Sequence, residues 1–106
     1  MRTEYFKLVR DHIPDIIRSD RHAYDIVTMD EDEYRQALRE KLVEEAHEAA
    51  NANPQKLITE LADLYEVIDA LEVSYGIKDE EVRSEQERRH AERGGFERRI
   101  KLLWIE

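Results

Sequence analysis

Two pairs of acidic residues are the part of this sequence best suited to chemistry. Glu45 and Glu48 stand three apart, and Glu60 and Asp63 repeat the spacing. On a helix, positions i and i+3 share a face. Each pair lies about two turns or fewer from the short segment between the helices, so antiparallel packing brings the pairs opposite one another. Carboxylates gathered at one point repel and cannot all stay ionised unless a cation joins them. An all-oxygen set suits Mg²⁺, Mn²⁺ or Ca²⁺ rather than a softer metal. The plainer reading pairs Glu45 with Lys41, one turn earlier, on a solvated acidic helix.

The elements that must position these residues are helices. With 3 Gly and 2 Pro the chain has few breakers. Asp11 to Ser19 reads as a first helix, with Asp11 as N-cap and Pro14 in the first turn. Asp30 starts a long helix, and Glu33 completes the form of a capping box. Tyr34, Ala37, Leu38, Leu42, Ala46 and Ala49 lie on one apolar face. Glu45 falls inside that face, Glu48 at its edge and Glu44 on its flank, which conflicts with simple burial. His47 falls opposite and reads as a surface residue. The helix ends near Asn51 to Asn53, and Asn53-Pro54 restarts it. The next helix runs to about Tyr75 and stops at Gly76. Leu57, Ile58, Leu61, Leu64, Tyr65, Ile68 and Leu71 form its broad face, with Val67 and Ala70 on another side. A helix apolar nearly all round packs against more than one neighbour, and a second subunit is the natural source. Glu66, Asp69 and Glu72 read as solvated or structural charges.

Residues Asp79 to Arg93 permit a helix but are almost wholly polar, so the segment is either an exposed helix or mobile. Gly94-Gly95 ends it. Ala23 to Met29 (AYDIVTM) favours a short strand. The tail FERRIKLLWI either pairs with it or forms a final short helix. The expected fold is mainly α, a single domain over residues 1–106, built as an antiparallel helical bundle with a short two-stranded β element.

Composition bounds the function. A folded chain of 12.7 kDa exposes roughly 6,200 Å², against roughly 18,000 Å² unfolded, which allows one modest core. No apolar run approaches the ~20 residues of a membrane span, and MRTEYFKLVRDHIP has no apolar signal core. Without cysteine there is no disulfide framework and no thiolate metal site. These features fit a cytoplasmic protein. The net charge of −9 argues against nucleic-acid binding. The charge is uneven. Residues 22–82 hold 5 Lys/Arg and 17 Asp/Glu, for −12, while residues 83–106 hold 7 and 5, for +2. One reading is a solvated acidic helix pair. The sharper one is an acidic cation site flanked by groups that hold an anion: Lys7 and Arg10 in front, Arg93, Arg98 and Arg99 behind. Gly94-Gly95 either lets backbone N–H groups approach phosphate or simply stops the helix.

EEAHE (Glu44 to Glu48) followed by ELAD (Glu60 to Asp63) resembles the EExxE…ExxD signature of the all-α nucleoside triphosphate pyrophosphohydrolases. KLVRDHIPDII (Lys7 to Ile17) and ERGGFERRI (Glu92 to Ile100) are similar to a MazG-like, phosphoribosyl-ATP-pyrophosphohydrolase-like subgroup of short proteins. The resemblance spans nearly the whole chain. It implies a homodimer or homotetramer of helical bundles with Mg²⁺, or Mn²⁺, held by Glu45, Glu48, Glu60 and Asp63. Glu44 and Glu45 are the implied catalytic acids, Glu44 either on a second metal or orienting water. Lys7, Arg10, Arg93 and Arg98 are the candidates to hold the substrate phosphates. The implied reaction hydrolyses the α–β phosphate bond to a nucleoside monophosphate and pyrophosphate. The motifs that select a base in the dUTPase and histidine-pathway branches are not evident. The alternative is a non-catalytic oligomeric module that keeps the site to bind metal or nucleotide.

Overall fold

The computed structural model describes residues 1–106 as four helices: α1 Ile13–Ser19, α2 Glu31–Asn51, α3 Leu57–Tyr75 and α4 Asp79–Arg93. None is long and apolar enough to cross a membrane. Asp30 caps α2, its side chain accepting from the Glu33 backbone N–H at 2.8 Å. Gly76 ends α3 at φ 66°, a left-handed turn that L side chains resist. Glu81 accepts from the Lys78 N–H at 3.1 Å and closes the first turn of α4.

Two helix starts differ from the sequence reading. The Arg10 carbonyl accepts the Ile13 N–H at 3.0 Å, closing a turn ahead of α1, so the helix begins at Ile13 with His12 rather than Asp11 before it. At Asn53, both the backbone carbonyl and the side-chain oxygen accept the Lys56 N–H at 3.0 Å. That turn uses up Pro54 to Lys56, and α3 begins at Leu57. The expected β element is absent: the chain has no strand. A strand exists only when its N–H and C=O groups find a ladder partner. The segments 23–29 and 96–105 do not pair, and their Val27, Ile100 and Leu103 are exposed. Residues 79–93, by contrast, are helical and exposed.

The packed unit is an antiparallel hairpin of α2 on α3, the one extensive helix–helix contact of the chain. At its open end, Arg35 donates from Nε to Ser74 Oγ at 3.1 Å and also to the Ser74 carbonyl. Its guanidinium carbon lies 4.3 Å from the Tyr75 ring centre, and that of Arg39 lies 5.2 Å away. Arg39 Nε donates to the Tyr75 hydroxyl at 3.1 Å. Between the ends, Leu38 (3% exposed) and Val67 (7%) form the small core. The face of α3 turned to α2 is therefore the Val67 side; of the broad apolar face, Leu64, Ile68 and Leu71 are half-buried and the edge carrying Ile58 and Tyr65 is left open. Ile58 is 80% exposed and Tyr65 59%, with Leu57 and Leu61 also exposed.

One chain alone covers little of its apolar surface. It exposes 10143 Å², about 3,900 Å² above the roughly 6,200 Å² expected of a folded monomer of this mass. Its radius of gyration is 18.3 Å, against about 13 Å for a compact domain of this length.

The Gly76 turn gives a test of the α3–α4 connection. A Cβ there meets nothing within 4 Å, so any cost of Gly76→Ala comes from the backbone alone. We expect Gly76→Ala to lower unfolding stability by about 1 kcal/mol, and Gly76→Asn by less, in urea titrations followed by circular dichroism.

Candidate metal centre

The hairpin register carries Glu45, on α2, to Glu60 and Asp63, on the first two turns of α3. One carboxylate oxygen from each lies within 4.8 Å of the others, and all three residues are half-buried. Glu48, the fourth member of the sequence signature, is exposed and lies outside this group. His47 is exposed too, as its position on the helical wheel requires.

Three cations of the chain already attend these acids. Lys41 Nζ lies 3.7 Å from Glu45 Oε1 and 3.5 Å from Glu44 Oε1. Lys7 Nζ lies 3.0 Å from Glu44 Oε1. Arg10 Nη2 lies 2.7 Å from Asp63 Oδ1. The N-terminal segment is thus laid along the hairpin by two charge-assisted hydrogen bonds. Lys7 and Arg10, read from sequence as phosphate holders, stand in this structure as counter-ions to the acids. The Lys41 contacts were legible, because Lys41 precedes Glu44 and Glu45 by three and four positions on one helix. The Arg10–Asp63 and Lys7–Glu44 pairs were not, since nothing local ties positions 53 and 37 residues apart.

These contacts set the charge state. The hydrogen bond from Lys7 holds the Glu44 carboxyl below the usual carboxylate range, against a smaller opposing effect of burial, with Lys41 adding to the lowering. Glu44 in turn raises Lys7. Glu44 is therefore a ready proton acceptor only in the weak sense of a stabilised anion.

Arg93 and Arg98 lie elsewhere. With Gly94, Gly95 and Arg99 they line an open groove of about 380 Å³ at the end of α4. They make no ion pair with Glu45, Glu60 or Asp63 within the chain. Gly94 has φ 80°, which reserves that position for glycine.

Compared with known protein families, curated proteins and solved structures, the chain matches none of them.

The Lys7–Glu44 pair has a signed pH dependence. A depressed Glu44 stabilises the fold above its unfolded pKa, and this is lost as pH falls through the folded value. A raised Lys7 stabilises below its unfolded pKa and loses this as pH rises through the folded value. In Lys7→Gln, measured in metal-free buffer by carboxyl ¹³C shifts, Glu44 should titrate at higher pH than in the parent chain. An unchanged midpoint would show that the pair does not form in solution.

Proposed function

We propose that the chain is a Mg²⁺-dependent nucleoside triphosphate pyrophosphohydrolase of the MazG-like, all-α type, working as a homo-oligomer. The observation that carries this reading is the convergence of Glu45, Glu60 and Asp63 from two helices. Three hard carboxylate oxygens in reach of one another fit Mg²⁺ or Mn²⁺ by donor chemistry. Glu45, Glu60 and Asp63 would hold the ion, with Glu48 able to join only by turning inward from the exposed side of α2. When bound, the ion offsets the charge of the triphosphate and lowers the pKa of water.

The residues of the chain do the rest. Glu44 accepts a hydrogen bond from the attacking water and aligns it with the α-phosphorus. The water oxygen bonds to that phosphorus as the bond to the α–β bridging oxygen breaks, its proton passes to Glu44 and on to solvent, and pyrophosphate departs with the electron pair. Lys7 and Arg10 exchange their carboxylate partners for phosphate oxygens, which keeps cationic donors on the leaving group. Arg93 and Arg98 are the further phosphate donors proposed for the groove beside Gly94-Gly95.

Assembly supplies what one chain lacks. The excess of exposed surface and the open face of Ile58, Leu61 and Tyr65 support a bundle completed by a second copy. Obligate interfaces bury about 2,000–5,000 Å² in total, or about 1,000–2,500 Å² from each copy, well within the excess of one chain. Light scattering at micromolar concentration should give a dimer or larger, and Ile58→Asp should dissociate or unfold it. A stable parent monomer would refute the assembly.

One observation favours the alternative of a non-catalytic module: Lys7, Lys41 and Arg10 already neutralise acids of the site. Pyrophosphate release from a panel of canonical and damaged nucleotides with Mg²⁺ separates the two. For the enzyme, Glu44→Gln should lower kcat about 10²-fold. Mg²⁺ should also raise the melting temperature, and Glu60→Gln should reduce that shift. A metal-dependent shift with no turnover on any nucleotide points to the module.

A further inference from the structure

A second set of carboxylates gathers at the joint between α3 and α4. Asp69 and Glu72 stand three apart near the end of α3, and Asp79 opens α4 across the Gly76 turn. One oxygen from each lies within 4.8 Å of the others. By sequence Asp69 and Glu72 read as solvated or structural charges, and Glu72, only 8% exposed, is of the second kind. Its Oε2 is buried and has no hydrogen-bond partner. An unpartnered buried carboxylate oxygen is costly, because it gives up water and gains nothing in return.

The surrounding fold does little to compensate it. α3 has no basic residue in its last turn, where its own dipole already presents negative charge. The one cation in ion-pair reach of the three is Arg83, whose Nε lies 3.6 Å from Asp79 Oδ2. Burial first, then the charge of Asp79 and a hydrogen bond shared with it, and then Asp69, push the Glu72 carboxyl above its usual range, against a smaller lowering by Arg83. The ionised trio is short of positive charge at its buried corner.

We propose that Asp69, Glu72 and Asp79 bind a hard divalent cation, at a site separate from that of Glu45, Glu60 and Asp63. Asp69 and Asp79 are exposed, so the outer side is open to the waters that complete the coordination of Mg²⁺ or Ca²⁺. The cation bridges two helices that share no other extensive contact, so its occupancy fixes the angle of α4 on α3. This site stands apart from the proposed hydrolysis and does not depend on it.

Mn²⁺ titration of the full ¹⁵N-labelled chain tests the site, because the ion broadens amides near where it binds. The expected result is broadening around residues 69–79 that persists in Glu45→Gln/Glu60→Gln, is reversed by excess Ca²⁺ and is lost in Asp69→Asn and in Asp79→Asn. Both Asp substitutions remove exposed ligands and leave buried Glu72 in place, and circular dichroism checks that they fold. Failure at residues 45, 60 and 63 alone overturns the first site and leaves this one standing. Absence of broadening at 69–79 in the parent chain overturns the proposal, as does broadening that survives both Asp substitutions. A proton shared between Glu72 and Asp79 gives the first of these outcomes, with Glu72→Gln leaving the melting temperature unchanged.

Discussion

Arg35 and Arg39 closing over Tyr75 fix where every other residue of the hairpin sits. Two guanidinium groups share one ring, and Arg35 also reaches the Ser74 side chain and carbonyl. A helix can slide past its neighbour only in steps of its ridges and grooves, and this set of contacts admits one step. The Asn53 turn closes the other end. Between the two ends, the position of Glu45 against Glu60 and Asp63 follows. With Leu38 and Val67 as its buried apolar residues, the hairpin relies on these polar contacts more than a larger core would.

The acids and the N-terminal cations are a matched system. Brought together without compensation, Glu44, Glu45, Glu60 and Asp63 would strain the register that gathers them. Lys41 from within α2, and Lys7 and Arg10 from the segment ahead of α1, supply that compensation in the chain itself. The Lys7–Glu44 and Arg10–Asp63 pairs are half-exposed, so each contributes modestly and can be exchanged, while Lys41 with Glu45 is more buried. Tight, buried ion pairs would make a more rigid protein and a poorer binding site. The same balance is missing at Glu72, where burial is greater and donors are fewer.

Much of this was legible in the sequence because it is local. The Asp30 cap, the Gly76 stop and the Glu60–Asp63 pair each depend on residues a turn apart, and all appear where the pattern places them. The i+4 relation of Lys41 to Glu45 was equally readable. What could not be read depends on distance. The apolar periodicity of α3 identifies a broad sticky face but not which side α2 takes, and α2 takes the Val67 side. Residues 23–29 have strand-forming side chains, yet a strand is a property of two segments, and the second one is not brought alongside. Glu48 lies one i, i+3 step from Glu45, and the offset of about 60° around the helix is enough to leave it exposed while Glu45 is half-buried.

The attachment of α4 by one short turn makes it a lever. It holds its own shape through ion pairs along its length, among them Arg88 with Glu85 and Glu92, but it rests extensively on no other helix. Its 15 residues place Arg93 about 21 Å from the joint. A rotation of about 10° there carries the Arg93 backbone through about 4 Å, roughly the length of one hydrogen-bonded step from partner to partner. Asp63, on a helix pinned at both ends, has no such freedom. Positional error in this molecule is thus unevenly shared: small at the carboxylates, and multiplied by leverage at the arginines, where about ten degrees at residues 76–78 changes what they can touch.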